Sequence, residues 1–201
     1  GQAFDSDGLC RNTLFQYNYS HDNEGGFMLV CATPEYHCEG TVIRYNISQH
    51  DGIKSARVFH LGGPVRNTHI YNNTVSLRPD QDLPLLRFTD DEGWPDDTRF
   101  ANNLFHIAGR ARCEFGRSTN NAFEGNVVYG ALAGCPEGLR FTSGPSPLAG
   151  PGTGAAEAAT SGGVAYDVRE SSGNATRRAP RRAAFAAIAA GCRRFAGTSQ
   201  K

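Results

Sequence analysis

Residues 40–48 read "GTVIRYNIS". Apolar and polar residues alternate through this stretch, as they do in a half-buried strand. Asn46 sits near its end. The arrangement returns four times: "NTLFQYNYS" (12–20), "NTHIYNNTV" (67–75), "DTRFANNLF" (97–105) and "NNAFEGNVV" (120–128). Aligned, the copies follow a template x-T-x-Φ-x-x-N, with Asn121 in place of the threonine in the fifth. The fourth position is apolar in every copy (Phe15, Ile43, Ile70, Phe100, Phe123), and the seventh is always asparagine (Asn18, Asn46, Asn73, Asn103, Asn126). The asparagines lie 28, 27, 30 and 23 residues apart. A period of this size is the signature of a solenoid, in which each turn of chain buries its apolar side against the next.

A second strand-like run follows the template in successive copies: "GGFMLVC", "ARVFHLGG", "LPLLRFT" and "ARCEFG". Helical spacing is missing from residues 1 to 131, and Gly and Asn interrupt throughout. The copies are therefore expected to stack as parallel strands about 4.8 Å apart. An asparagine at one place per coil has two mechanical uses. It tolerates the left-handed backbone of a sharp turn, and stacked amides can hydrogen-bond along the solenoid axis.

The bulk of the sequence narrows the field. The 201 residues carry 20 Lys+Arg and 20 Asp+Glu, so net charge gives no general pull toward nucleic acid or an anionic membrane, and neither is expected as a partner. No run of about 20 apolar residues exists to span a bilayer. Residue 1 is Gly rather than Met, which reads as a processed chain or a fragment. Six cysteines (Cys10, Cys31, Cys38, Cys113, Cys135, Cys192) form no CxxC pair and no zinc-like spacing. Cys31 and Cys38 could close a small loop in an oxidising compartment; buried free thiols are the alternative. No GxSxG, Walker loop, GxGxxG or HExxH is present.

Composition changes after about residue 131. Residues 132–201 are rich in Ala, Gly and Arg, and the asparagine template disappears. "SGPSPLAGPGTGAAEAATSGG" reads as flexible loop. "RRAPRRAAFAAIAAGCRRF" suits a short helix near 180–196, with Pro180 near its start and Gly191 near its end. The sequence is thus expected to divide into a β-helix domain, 1–131, and an irregular or partly helical tail, 132–201. Out-of-frame translation or a fragment's ragged end would explain the Arg/Ala bias; a cationic helix for an acidic surface is the functional alternative.

"QYNYSHDNEGGFMLVC", "VIRYNISQHDG" and "HIYNNTV" resemble right-handed parallel β-helix repeat proteins of the pectate-lyase-like superfamily, of the bacterial secreted type. The resemblance covers residues 1–131. It implies an all-β, right-handed parallel β-helix of about five coils, secreted or extracellular and monomeric. It also implies an extracellular polysaccharide as partner, met by a glycoside hydrolase, a polysaccharide lyase or a non-catalytic adhesive or structural β-helix. Fold alone does not choose among these. Members of the superfamily continue past "PLAGPGTG" into further strand-like sequence, and this chain departs there.

The titratable residues supply the candidates. If residues 3–7 form a strand, Asp5 and Asp7 of "AFDSDG" point the same way, about 6.6 Å apart at the backbone. Inverting glycosidases need carboxylates about 6.5–9.5 Å apart to admit a water. Ordinary turn chemistry, or an oxygen cluster that suits Ca2+, would use the same residues. "SHDNEGGF" adds His21, Asp22 and Glu24. Aligning "AFDSD" with "GFMLV" one coil on would bring these acids near Asp5 or Asp7; the alternative is a solvated turn built on Gly25 and Gly26. "SQHDGIKSARVFH" repeats the turn with His50, Asp51, Lys54, Arg57 and His60. Lys54 or Arg57 beside a histidine could serve β-elimination, which needs a cation on the uronate and a base for its proton. Trp94, in the acidic loop "TDDEGWPDD", suits stacking on a sugar, or burial against the solenoid flank. Arg57 and Trp94 are the substrate-binding candidates. Asp5, Asp7, His21, Asp22, Glu24, Lys54 and His60 are the catalytic ones. No metal site is required. The sequons at Asn18, Asn46, Asn72 and Asn174 arise largely from the repeat.

Overall fold

A computed structural model describes residues 2–54 and 57–134, and the backbone of 139–142. The described chain is all strand, with no helix, wound as a parallel β-solenoid of about five turns. The tail beyond residue 142, including the helix expected near 180–196, lies outside the described residues.

The first coil holds β1 (Phe4–Asp7), β2 (Cys10–Arg11), β3 (Leu14–Gln16) and β4 (Tyr19–His21). The second repeats the order with β5 (Met28–Cys31), β6 (Cys38–Glu39), β7 (Val42–Arg44) and β8 (Ile47–Gln49). The third has β9 (Phe59–Gly62), β10 (Arg66–Tyr71) and β11 (Thr74–Leu77). Then come β12 (Asp82–Thr89), β13 (Asp96–Ala101), β14 (Leu104–Glu114), β15 (Ala122–Glu124), β16 (Asn126–Ala133) and β17 (Leu139–Thr142). Every pairing between them is parallel. One ladder runs β1–β5–β9–β12 onto the second half of β14; another runs β4–β8–β11 onto its first half and continues through β16 to β17, past residue 131. A third ladder is β3–β7–β10–β13–β15. A short fourth joins β2, β6 and the start of β10.

The template explains the stacking. Its fourth position forms one in-register inward column: Phe15, Ile43, Ile70, Phe100 and Phe123. Ile43, Ile70 and Phe100 are completely buried, and the Phe100 and Phe123 rings stack 5.1 Å apart. Phe4, Phe27, Phe59 and Phe88 extend the aromatic core from the opposite ladder. The seventh position forms a second column. Each asparagine Oδ1, from Asn46 to Asn126, accepts both the backbone N–H and the side-chain Nδ2–H of the asparagine one coil earlier, at 2.9–3.0 Å. The Nδ2 groups of Asn46, Asn73, Asn103 and Asn126 also donate to a main-chain carbonyl, so these buried amides are satisfied inside the solenoid.

One expectation about this column is corrected. The left-handed backbone falls one residue before each asparagine, at Tyr17, Tyr45, Asn72, Asn102 and Gly125. The asparagine supplies the axial hydrogen bonds, and its neighbour makes the turn. At Gly125 a Cβ would press on Asn102 Oδ1, so a side chain there would require that amide to move aside.

Candidate functional site

The outward side of the β1–β5–β9–β12–β14 ladder carries several of the candidate residues. Strand alternation makes it so. In β1, Phe4 and Ser6 turn toward the core while Asp5 and Asp7 are exposed. Register then fixes what stands beside them. Asp5 heads a column through Leu29, His60, Arg87 and Glu114. Asp7 heads a column through Cys31, Gly62 and Thr89. This register differs by one residue from the expected alignment of "AFDSD" with "GFMLV", since Phe4 faces Met28. Phe27 and Met28 both donate their backbone N–H to the Val58 carbonyl, and both are buried. That bulge takes up the extra residue.

His60 sits at the centre of the surface. Its Nε2 lies 2.8 Å from Thr89 Oγ1, and Gly62 leaves room for the pair, since a Cβ there would meet Thr89 Oγ1 at 3.2 Å and Cys31 Sγ at 3.4 Å. Burial, then the nearby Arg57 and Arg87 charges, push the imidazole down to about 4, so it is neutral at pH 7. Its Nδ1 is buried and has no hydrogen-bond partner among the described residues, and the same holds for Arg57 Nε. Arg87 Nε is 3.4 Å from Glu114, which also takes Arg112 at 2.8 Å; Arg112 reaches Asp82 at 3.3 Å. Cys31 Sγ lies 3.5 Å from Asp91 Oδ2, and burial, followed by that carboxylate, raises its thiol to about 11. The surface thus combines an exposed carboxylate pair, a neutral imidazole and three guanidinium groups.

The other candidates gather elsewhere. Asp22 follows β4, where its Oδ2 is 3.2 Å from His21 and its Oδ1 is 3.5 Å from His50 and 3.6 Å from Arg78. Glu24 pairs with Lys54 at 2.7 Å. Asp5 and Asp7 lie on β1 and pair with β5, whereas Asp22 and Glu24 follow β4, which belongs to a different ladder; Lys54 sits with Glu24 while Arg57 is the cation beside His60. Burial lowers the proton affinity of His50 and of His106. The echo between "SHDN" and "SQHD" misaligns the coils by one residue. In register, Asp22 stands beside His50 and Asn23 beside Asp51. Asp51 is fully buried; it accepts from Ser20 and Ser48 at 2.7 Å each and from Asn23 Nδ2 at 2.8 Å. It is a turn clamp facing inward.

Trp94 is half-buried and lies over Gly116, where a Cβ would overlap its ring. Beside it, hydrogen bonds from Thr119 and Asn120 hold the Asp96 carboxyl below its usual range. Thr33, Pro34, His37, Glu39, Pro64, Arg66 and Glu92 line an open depression of about 400 Å3. Among the described residues no group of three or more His, Cys, Asp or Glu side chains is placed to hold a metal ion. Sequence reasoning missed Thr89, Arg87, Asp91 and Glu114. They become visible only through register, because each lies on a different coil from the residue it serves.

The chain matches no known family profile and no solved structure. It is similar to a glycosidase. Over 105 residues it is 36% identical to Lacto-N-biosidase of Bifidobacterium longum subsp. longum, a stretch that is 52% of this chain and 6% of that protein. The chain therefore spans a small part of the length of this relative. The likeness and the β-solenoid fold are compatible with a carbohydrate-active protein.

Proposed function

We propose that this solenoid belongs to a secreted, bacterial, pectate-lyase-like glycoside hydrolase and that a glycan lies along the outward side of the β1–β5–β9–β12–β14 ladder. The similarity to Lacto-N-biosidase carries the reading. The exposed pair on β1 gives it a mechanism. Asp5 and Asp7, two residues apart on one strand, stand about 6.6 Å apart at the backbone. That spacing suits inversion, in which one carboxyl protonates the leaving oxygen and the other draws a proton from water. Arg57, Arg87, His60 and Thr89 would hold sugar oxygens beyond the cleaved bond. Neutral imidazole and hydroxyl groups suit sugar hydroxyls, and guanidinium groups suit sugar oxygens or a carboxylate.

A second reading rests on the neutral His60 between Arg57 and Arg87. A neutral imidazole accepts a proton and a guanidinium neutralises a uronate, the two needs of a polysaccharide lyase. A screen of the purified chain against neutral and uronate-containing oligosaccharides separates the readings. Release of reducing ends without ultraviolet absorbance supports hydrolysis. Release with the absorbance of an unsaturated uronate supports elimination. Binding without any release would overturn both in favour of a non-catalytic carbohydrate-binding solenoid.

A further inference from the structure

Cys10 and Cys38 are stacked partners. β2 pairs with β6 so that Cys10 stands opposite Cys38 in a parallel ladder. Such partners lie about 4.8 Å apart at Cα, inside the range of about 4.4–6.8 Å that a disulfide requires. Their sulfur atoms converge on one short piece of backbone. Cys10 Sγ is 3.4 Å from the Asp7 carbonyl and 3.5 Å from that of Gly8, while Cys38 Sγ is 3.8 Å from the carbonyl of Ser6. Both thiols are free. The loop suggested by sequence, Cys31 to Cys38, does not form. Cys31 lies on the outward surface against Asp91, whereas Cys38 is buried against Ser6 and Thr41.

We infer that Cys10 and Cys38 are a disulfide site that fastens the first coil to the second. β2 and β6 pair over two residues only, so a covalent link there adds to a short ladder. The first coil also carries Asp5 and Asp7. A bond between residues 10 and 38 closes a loop of one complete coil, the kind of constraint that removes freedom from the unfolded chain.

The reaction is thiol–disulfide exchange with a small-molecule disulfide such as oxidised glutathione. Cys10, half-buried at the edge, is the sulfur that a small disulfide can reach. Its thiolate attacks, forms a mixed disulfide and releases one glutathione thiolate. Cys38 then attacks the Cys10 sulfur and releases the second. Two protein thiols and one glutathione disulfide become one protein disulfide and two glutathione thiols. Burial raises the Cys38 thiol above its ordinary value, which suits it to the second, intramolecular step rather than the first.

The test incubates the purified chain with oxidised glutathione, then counts thiols, maps peptides without reduction and records the melting temperature. Two thiols should disappear, one peptide should join Cys10 to Cys38, and melting should rise by about 5–10 °C. Cys10→Ser should lose the cross-link and the rise, and Cys31→Ser should keep both; neither variant alters the buried thiol. Stable glutathione on Cys10 with no cross-link, a link from Cys38 to any other cysteine, or a cross-linked chain that melts no higher than the reduced one would overturn the inference.

Discussion

Asn73 makes the residue-scale argument concrete. Its amide accepts from Asn46 N–H and Nδ2–H and donates to Ile43 O and Asn103 Oδ1, all at 2.9–3.0 Å and out of contact with water. Alanine there would remove all four of these hydrogen bonds and leave the buried Asn46 N–H without its acceptor. Asn73→Ala is expected to cost about 3–5 kcal/mol, whereas Asn18→Ala, on the half-buried first coil, should cost about 1 kcal/mol; urea midpoints will check the difference. His60 gives a prediction in pH. Its folded proton affinity is depressed to about 4 from an ordinary 6.5. The unfolded chain therefore takes up a proton first as pH falls, and stability present above pH 6.5 is lost on the way down to pH 4. Solvent screening of the half-buried ring limits this to about 1–2 kcal/mol. Denaturant titrations should show the loss, and His60→Gln should flatten it.

At the scale of the element, the repeat was legible because one residue type does one job at a fixed phase. Phe15, Ile43, Ile70, Phe100 and Phe123 had to face one way, and so did the asparagines. Register was less legible. One bulge at Phe27 and Met28 shifts the face of β5 by a residue, and nothing in "GGFMLVC" marks which of two adjacent apolar residues is the extra one. The turn echo misled for a related reason. "HD" occurs twice, but ladder pairing sets Asp22 beside His50, so Asp51 is a buried clamp and Asp22 an exposed acid. Trp94 is half-buried and rests on Gly116: that glycine, some twenty residues on, leaves the hollow that its ring covers. Gly116→Ala should displace the ring, red-shift the emission of this sole tryptophan and lower the melting temperature by several degrees. Unchanged emission would mean that the loop does not rest on Gly116.

At the scale of the whole molecule, stacking turns a sequence period into a surface. Residues some 24–31 positions apart, such as Asp5, Leu29, His60 and Arg87, become neighbours in one column. The candidate site is therefore a property of the solenoid and not of any local motif, which is why half of it escaped sequence reading. The central claim is that this surface handles a glycan with Asp5 and Asp7 at the cleaved bond. It is tested most directly by the turnover rate of the best oligosaccharide substrate with the unaltered chain, Asp5→Asn and Asp7→Asn. Both aspartates are exposed, so the variants should fold and melt normally. A fall of about 10²–10⁴ in rate for each is predicted, and turnover by either variant equal to that of the unaltered chain would contradict the account.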